Sequence, residues 1–174
     1  MRTTFILLFF LVPVIQSVPG KSFSPLGGDD LSTLELTQEE KIVAVLRDSG
    51  YSAPMQRIIL AQAKHESGGF TNSLAVYHNN VFAMLHPSRR RTLSLGPLAK
   101  AEGRGGYGSY ATIEDATRDY IMYCRHMGID PKESATDYIY QLKRKRYFTD
   151  NVTRYLRGVQ QWMKSDTTVR NFSN

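Results

Sequence analysis

Cysteine is nearly missing from this chain. Cys124 stands alone in 174 residues, so no disulfide can close within it. An exported protein of this composition must be held together by its core. Metal-ligand spacing is missing too. His65, His78, His86 and His126 do not recur at ligand intervals, and the run HESGG is not the HExxH of a zinc hydrolase. There is no phosphate cradle, because EGRGGYGS follows no strand-like run and opens no helix with a lysine. No metal or cofactor is therefore expected. No internal repeat is apparent. One long apolar run, Phe5 to Ile15, is short for a bilayer and is broken by Pro13.

That run follows Arg2 and precedes small residues at Ser17 and Gly20. The layout is that of a secretory signal peptide, so residues 1–20 are read as a leader and the product as secreted or periplasmic, with no transmembrane anchor after cleavage. Without a nearby cysteine, a lipoprotein site is excluded. Residues 21–36, rich in Ser, Gly and Pro, read as a linker, 37–166 as one folded domain and 167–174 as a tail. Hydrophobic residues at 41% and charged residues at 22% permit a packed core. A net charge of +6 favours acidic partners: nucleic acid, anionic lipid or an anionic wall polymer. The basic runs RRR (89–91) and KRKR (143–146) read as solvated faces or as contacts to such a polymer.

Five helices are expected, giving a mostly α fold with a small irregular or β lobe between the second and third. The first opens at Thr37 with Glu40 as a capping box and stops at Gly50. The second runs from Ser52, with Pro54 in its first turn, to Gly68. The third spans Thr112 to Gly128, the fourth Ser134 to about Arg146, and the fifth follows Asp150. Residues 69–111 have no long periodicity and read as loops with a small hairpin.

One residue breaks the pattern. Met55, Ile59, Gln62 and Glu66 are spaced 4, 3 and 4, so a carboxylate continues an oily stripe. Either Glu66 is an exposed charge at a helix end, or the stripe emerges there into a cleft. In a cleft, partial desolvation and the negative end of the helix both disfavour the charged form and raise its pKa. A carboxyl that keeps its proton near neutral pH can protonate a glycosidic oxygen. His65 projects about 100° away and is read as a flank residue.

The segments AQAKHESGGF, NNVFAML, GYGSYATIEDATRDYIMY and LKRKRYFTDNVTRYLRGVQQW occur in that order. Over residues 53–164 the chain resembles the bacterial glucosaminidase family of glycoside hydrolases, whose pattern reads AQAALESGWG, NNLFGIK, a Tyr-opened helix and GYATDPxYA. The resemblance implies a lysozyme-like α+β fold and an endo-β-N-acetylglucosaminidase that cuts β-1,4 bonds of peptidoglycan glycan strands as a monomer. It places Glu66 as general acid and Tyr147 at the catalytic centre, the latter with core packing as the alternative. Asn79, Asn80 and Phe82 match motif positions that suit sugar hydroxyls or tie down the lobe's entrance, Tyr110 matches one that stacks on a sugar ring or simply packs, and Gln62 hydrogen-bonds near Glu66 or packs within its helix. Inversion needs a base about 6.5–9.5 Å from the acid. Within the lobe the only acidic side chain is Glu102, which is either that base or a surface charge; the substrate's own acetamido group is another route.

The chain departs from the pattern where ESGWG reads ESGGF, FGIK reads FAML and YATDP reads YFTDN. These changes bear on substrate preference, and they motivate a second reading, a wall-binding module without turnover. Muramidase or lytic transglycosylase chemistry is a third. A nucleic-acid binder fits the charge but not the leader.

Overall fold

The computed structural model describes residues 35–98, 106–130 and 132–165. The leader, most of the linker, the C-terminal tail and Glu102 lie outside the described residues. Among those described are six helices: α1 (Gln38–Asp48), α2 (Ala53–Ser67), α3 (Ser73–His78), α4 (Ile113–Met127), α5 (Ala135–Arg144) and α6 (Val152–Ser165). Two short strands, β1 (Gly96–Pro97) and β2 (Gly108–Ser109), pair antiparallel with Gly96 opposite Ser109. The protein is mostly α with a small β lobe, as expected. None of the described helices is long and apolar enough to cross a membrane.

Local chemistry sets the helix ends. At α1, Thr37 Oγ1 accepts from Glu40 N–H at 3.2 Å while Glu40 Oε2 accepts from Thr37 N–H at 2.8 Å, the reciprocal pair expected there. Thr112 caps α4 by accepting from Asp115 N–H, but the Asp115 carboxylate turns outward to Arg118 at 3.1 Å. Helices α2 and α4 both stop on left-handed glycines, Gly68 and Gly128.

The sixth helix, α3, corrects the reading of 69–111 as loops and a hairpin. Its six residues are too short to establish a 3.6-residue period. Asn72 starts it, its side chain accepting from Ala75 N–H at 3.0 Å.

Helix α2 is the axis of the molecule. Met55 and the run Ile58–Ala63 are buried on every side of it, so the stripe is in fact a full circumference. Helices α1 and α6 both pack against it, α4 covers α1, and α5 leans on α6. Each large aliphatic side chain sealed here, such as Ile58 or Leu60, contributes about 1.5–3 kcal/mol. A helix gripped this way is a rigid mount for whatever its last turn carries.

Candidate active site

Glu66 lies in the last turn of α2, where the buried run ends and the lobe begins. The backbone around it is held by two side chains. Asn72 Nδ2 donates to the Glu66 carbonyl at 2.9 Å; Ser67 Oγ donates to Ala63 O at 2.6 Å and accepts from Phe70 N–H at 2.9 Å. The Glu66 side chain is half-buried, and Tyr155 of α6 donates its hydroxyl proton to Oε1 at 2.5 Å. Burial pushes the Glu66 carboxyl up to about 7, and the Tyr155 hydrogen bond pulls the other way.

Tyr155 is itself immobilised. Its ring stacks on Phe148 with centroids 3.8 Å apart and meets the His65 ring edge-on at 4.7 Å. His65 in turn occupies the space over Gly158, where a Cβ would stand 2.4 Å from the imidazole Cε1. His65 is thus the packing piece that seats α6 on α2. Burial pushes its pKa down, with Asp150 opposing.

Behind Glu66, Gln62 is fully buried. Its Oε1 accepts from the Tyr120 hydroxyl at 2.7 Å and lies 3.1 Å from that of Tyr138, which is hydrogen-bonded to Tyr120 in turn. Its Nε2 is buried with no hydrogen-bond partner among the described residues, although the Gln62 amide pulls the Tyr155 phenol down against the larger effect of burial. Gln62 thus sits one turn before Glu66 on α2 and is bonded to the core tyrosines.

Tyr147 stands on the far side of the same cluster. Its hydroxyl donates to the Phe82 carbonyl, and its ring packs against Tyr120 and Tyr123 at 5.8 and 5.5 Å. Burial, and then the nearby charge of Glu66, hold its phenol well above the ordinary range. The Phe82 ring stacks on Tyr120 at 4.2 Å and is wholly buried, so it forms the wall of the cluster rather than a surface for a ligand.

The other motif residues fasten the lobe. Asn80 is buried; its Nδ2 donates to Met84 O and Gly108 O at 2.9 and 2.8 Å, and its Oδ1 accepts from Met84 N–H at 2.9 Å. Asn79 ends α3 in the left-handed region and donates to Tyr110 O and Ala111 O at 3.1 and 3.0 Å. Tyr110 is buried, with its hydroxyl committed to Asp119 at 2.9 Å. Asp119 also takes a two-pronged contact from Arg90 at 2.8 and 2.9 Å and an N–H from Leu93 at 3.1 Å. Burial would raise the Asp119 pKa, but these donors outweigh it and hold the carboxylate below its usual range. Glu66, Gln62, Tyr147 and Phe82 thus gather in one place, whereas Asn79, Asn80 and Tyr110 tie down the base of the lobe. Among the described residues no group of three or more His, Cys, Asp and Glu could hold a metal ion.

The sequence reading did not single out Tyr155 of the last helix. The available signal was a phenol on an apolar helix face, a polar group on an oily stripe as at Glu66.

A sequence profile described as mannosyl-glycoprotein endo-beta-N-acetylglucosaminidase matches residues 40–168. The chain belongs to the glucosaminidase family. No curated protein matches it significantly. Among solved structures it is similar to a chain of a type VI secretion system effector–immunity complex from Pseudomonas protegens, with a TM-score of 0.50 and 18% identity, covering 71% of this chain and 94% of that one. It is also similar to the catalytic domain of the autolysin Auto from Listeria monocytogenes, with a TM-score of 0.50 and 14% identity, covering 82% and 96%. Identities this low speak for the fold alone, and it is the lysozyme-like one.

The departures from the glucosaminidase pattern now have a structural setting. Gly69 stands where the pattern has tryptophan, and Trp162 of α6, the only tryptophan in the chain, fills the vacated space; a Cβ on Gly69 would come within 2.9 Å of its ring. Phe70 and Ala83 stand where the pattern has glycine, and both carry positive φ, 68° and 49°. A side chain in that region costs roughly 1–2 kcal/mol. The glycine-like backbone has been kept and the glycines have not.

Proposed function

We propose that this glucosaminidase-family protein is a peptidoglycan hydrolase that cleaves β-1,4 glycosidic bonds within the glycan strand, as an endo-β-N-acetylglucosaminidase. The carrying observation is the Glu66–Tyr155 pair: a carboxyl on a rigid helix end, half out of water, with a pKa lifted to about 7. Such a group is protonated in a large share of molecules at neutral pH and can deliver that proton to the departing sugar oxygen. As it ionises, the Tyr155 hydroxyl is already aimed at the developing charge. Tyr147 borders the same place, where it shapes the approach of the sugar. The attack on the anomeric carbon then comes from water, with Glu102 of the lobe as base, or from the 2-acetamido oxygen of the substrate. The name of the Listeria fold neighbour, an autolysin, supports wall glycan as the substrate, and the leader-like N-terminus supports action in the cell envelope.

The test is digestion of purified sacculi followed by mass spectrometry of the reduced products. Wild-type protein is expected to release new reducing ends at N-acetylglucosamine, and Glu66→Gln to lower the rate at least about a hundredfold, the lower end of the range for a general acid, while keeping its helical signal. Undiminished release by that variant removes Glu66 from the role. Saturable pelleting of wild-type protein with sacculi and no product would instead support a binding module, the reading that strained Phe70 and Ala83 favour.

A further inference from the structure

Beside Tyr147 a groove of about 420 Å³ runs between the lobe segment Ala83–Arg90 and the end of α4. Its floor is apolar: Met84, Met127 and the rings of Tyr123 and Tyr147. Its rim is cationic. Arg89, Arg90, His126 and Arg146 line it, and among the described residues no carboxylate does. Arg90 is spent on Asp119. Arg89 and Arg146 are exposed and have no carboxylate partner among the described residues. Arg146 is held in the left-handed region, φ 58°, at the turn that leads from α5 into Tyr147. A strained arginine, an unpaired arginine and a histidine around an oily trough form a site for an extended chain with apolar side groups and free carboxylates.

We propose that this groove binds the acidic peptide stem that hangs from the glycan strand, so that the enzyme reads the peptide as well as the sugar. The proposal rests on the hydrolase reading above. The glycan itself offers hydroxyls and acetamides but few charges, whereas the stem brings carboxylates and methyl groups. Arg89 and Arg146 would take the carboxylates, and Met84, Met127 and Tyr123 the methyl groups. The groove adjoins Tyr147, whose ring packs on Tyr120 at 5.8 Å, and Tyr120 bonds Gln62 one turn before Glu66, which suits a substituent on a sugar next to the cleaved bond. Leu85 lines the groove where the family pattern has lysine, so the cations now stand on its flanks rather than on that motif.

The experiment compares two substrates, intact glycan strands bearing stems and the same strands stripped of stems by an amidase. Wild-type KM is expected to be about fivefold lower on stem-bearing strands, the yield of a few exposed charge contacts. The double variant Arg89→Ala/Arg146→Ala is expected to bring that ratio to about one. A wild-type ratio of one, or an unchanged ratio in the double variant, overturns the proposal and leaves the hydrolase reading standing. Failure to cleave either substrate sinks the hydrolase reading instead. In that case a calorimetric titration of Glu66→Gln protein with a synthetic stem tripeptide decides: saturable binding that the two arginine substitutions abolish supports the groove's assignment, and its absence overturns it.

Discussion

The Glu66 carboxyl is set by two opposed effects. Burial raises its pKa, and the Tyr155 hydroxyl, by donating to the ionised form, lowers it, with burial the larger. The sign of a perturbation follows. Tyr155→Phe keeps the ring between Phe148 and His65 but removes the donor, so the carboxyl moves further up, by about one unit for a lost hydrogen bond worth roughly 1.4 kcal/mol. Activity that requires a protonated acid is present below this pKa and is lost as pH rises through it. The variant is therefore expected to hold its activity to higher pH than the wild type, whose alkaline limb is expected at about 7. A pH–rate profile on sacculi checks this. An unmoved limb would mean that Tyr155 only fills space. Glu66 was legible in the sequence because a charge on an apolar period is an anomaly any helical count exposes. Glu102 was named by elimination, and its role stays a proposal because it lies outside the described residues.

At the scale of elements, the lobe is a set of short pieces held by side chains rather than by a ladder. Two strands of two residues each supply little pairing, and the bridge of Leu85 to Tyr107 adds one contact. Asn80 does the joining: two of its hydrogen bonds close the turn after α3 on Met84, and the third ties that turn to Gly108 of β2. Asn80→Ala leaves the buried Gly108 carbonyl and the Met84 N–H without their partner, while the Met84 carbonyl keeps the Gly108 N–H, and this is expected to cost about 2–3 kcal/mol. The lobe should then be clipped by protease ahead of the helices, and limited proteolysis with mass mapping would show it. A resistant lobe would mean that the strands and α3 suffice. The sequence motif located this residue but not its use: a polar side chain in NNVF fits a sugar as well as a backbone, and only the burial of Asn80 separates the two.

For the molecule as a whole, the core is drawn from Ile42 through Val159 and closes on α2. The family match ends at residue 168, and the compact unit begins at Glu35. A fragment of residues 35–168 is expected to unfold in one transition, with Tm within about 4 °C of the longer chain, equivalent to about 1 kcal/mol. It should also digest sacculi at a comparable rate. Thermal melts and product release check both, and a fragment that melts broadly would place part of the core outside these bounds.

By itself the sequence determined the helices, their caps and stops, the mostly α architecture with an inserted lobe, and the suspect carboxylate. These are local matters: a capping pair, a terminating glycine and a repeat of 3.6 residues all lie within a few positions of one another. It did not determine α3, which is too short to show a period, nor that α2 is buried all round, which depends on how many neighbours surround it. Only the tertiary structure decided that Tyr155, 89 residues from Glu66, holds its carboxyl. It likewise brought Trp162 to the hollow at Gly69 and turned Asn80 and Tyr110 inward. Such partners are chosen by the packing of helices on one another, and packing joins residues without regard to their distance along the chain.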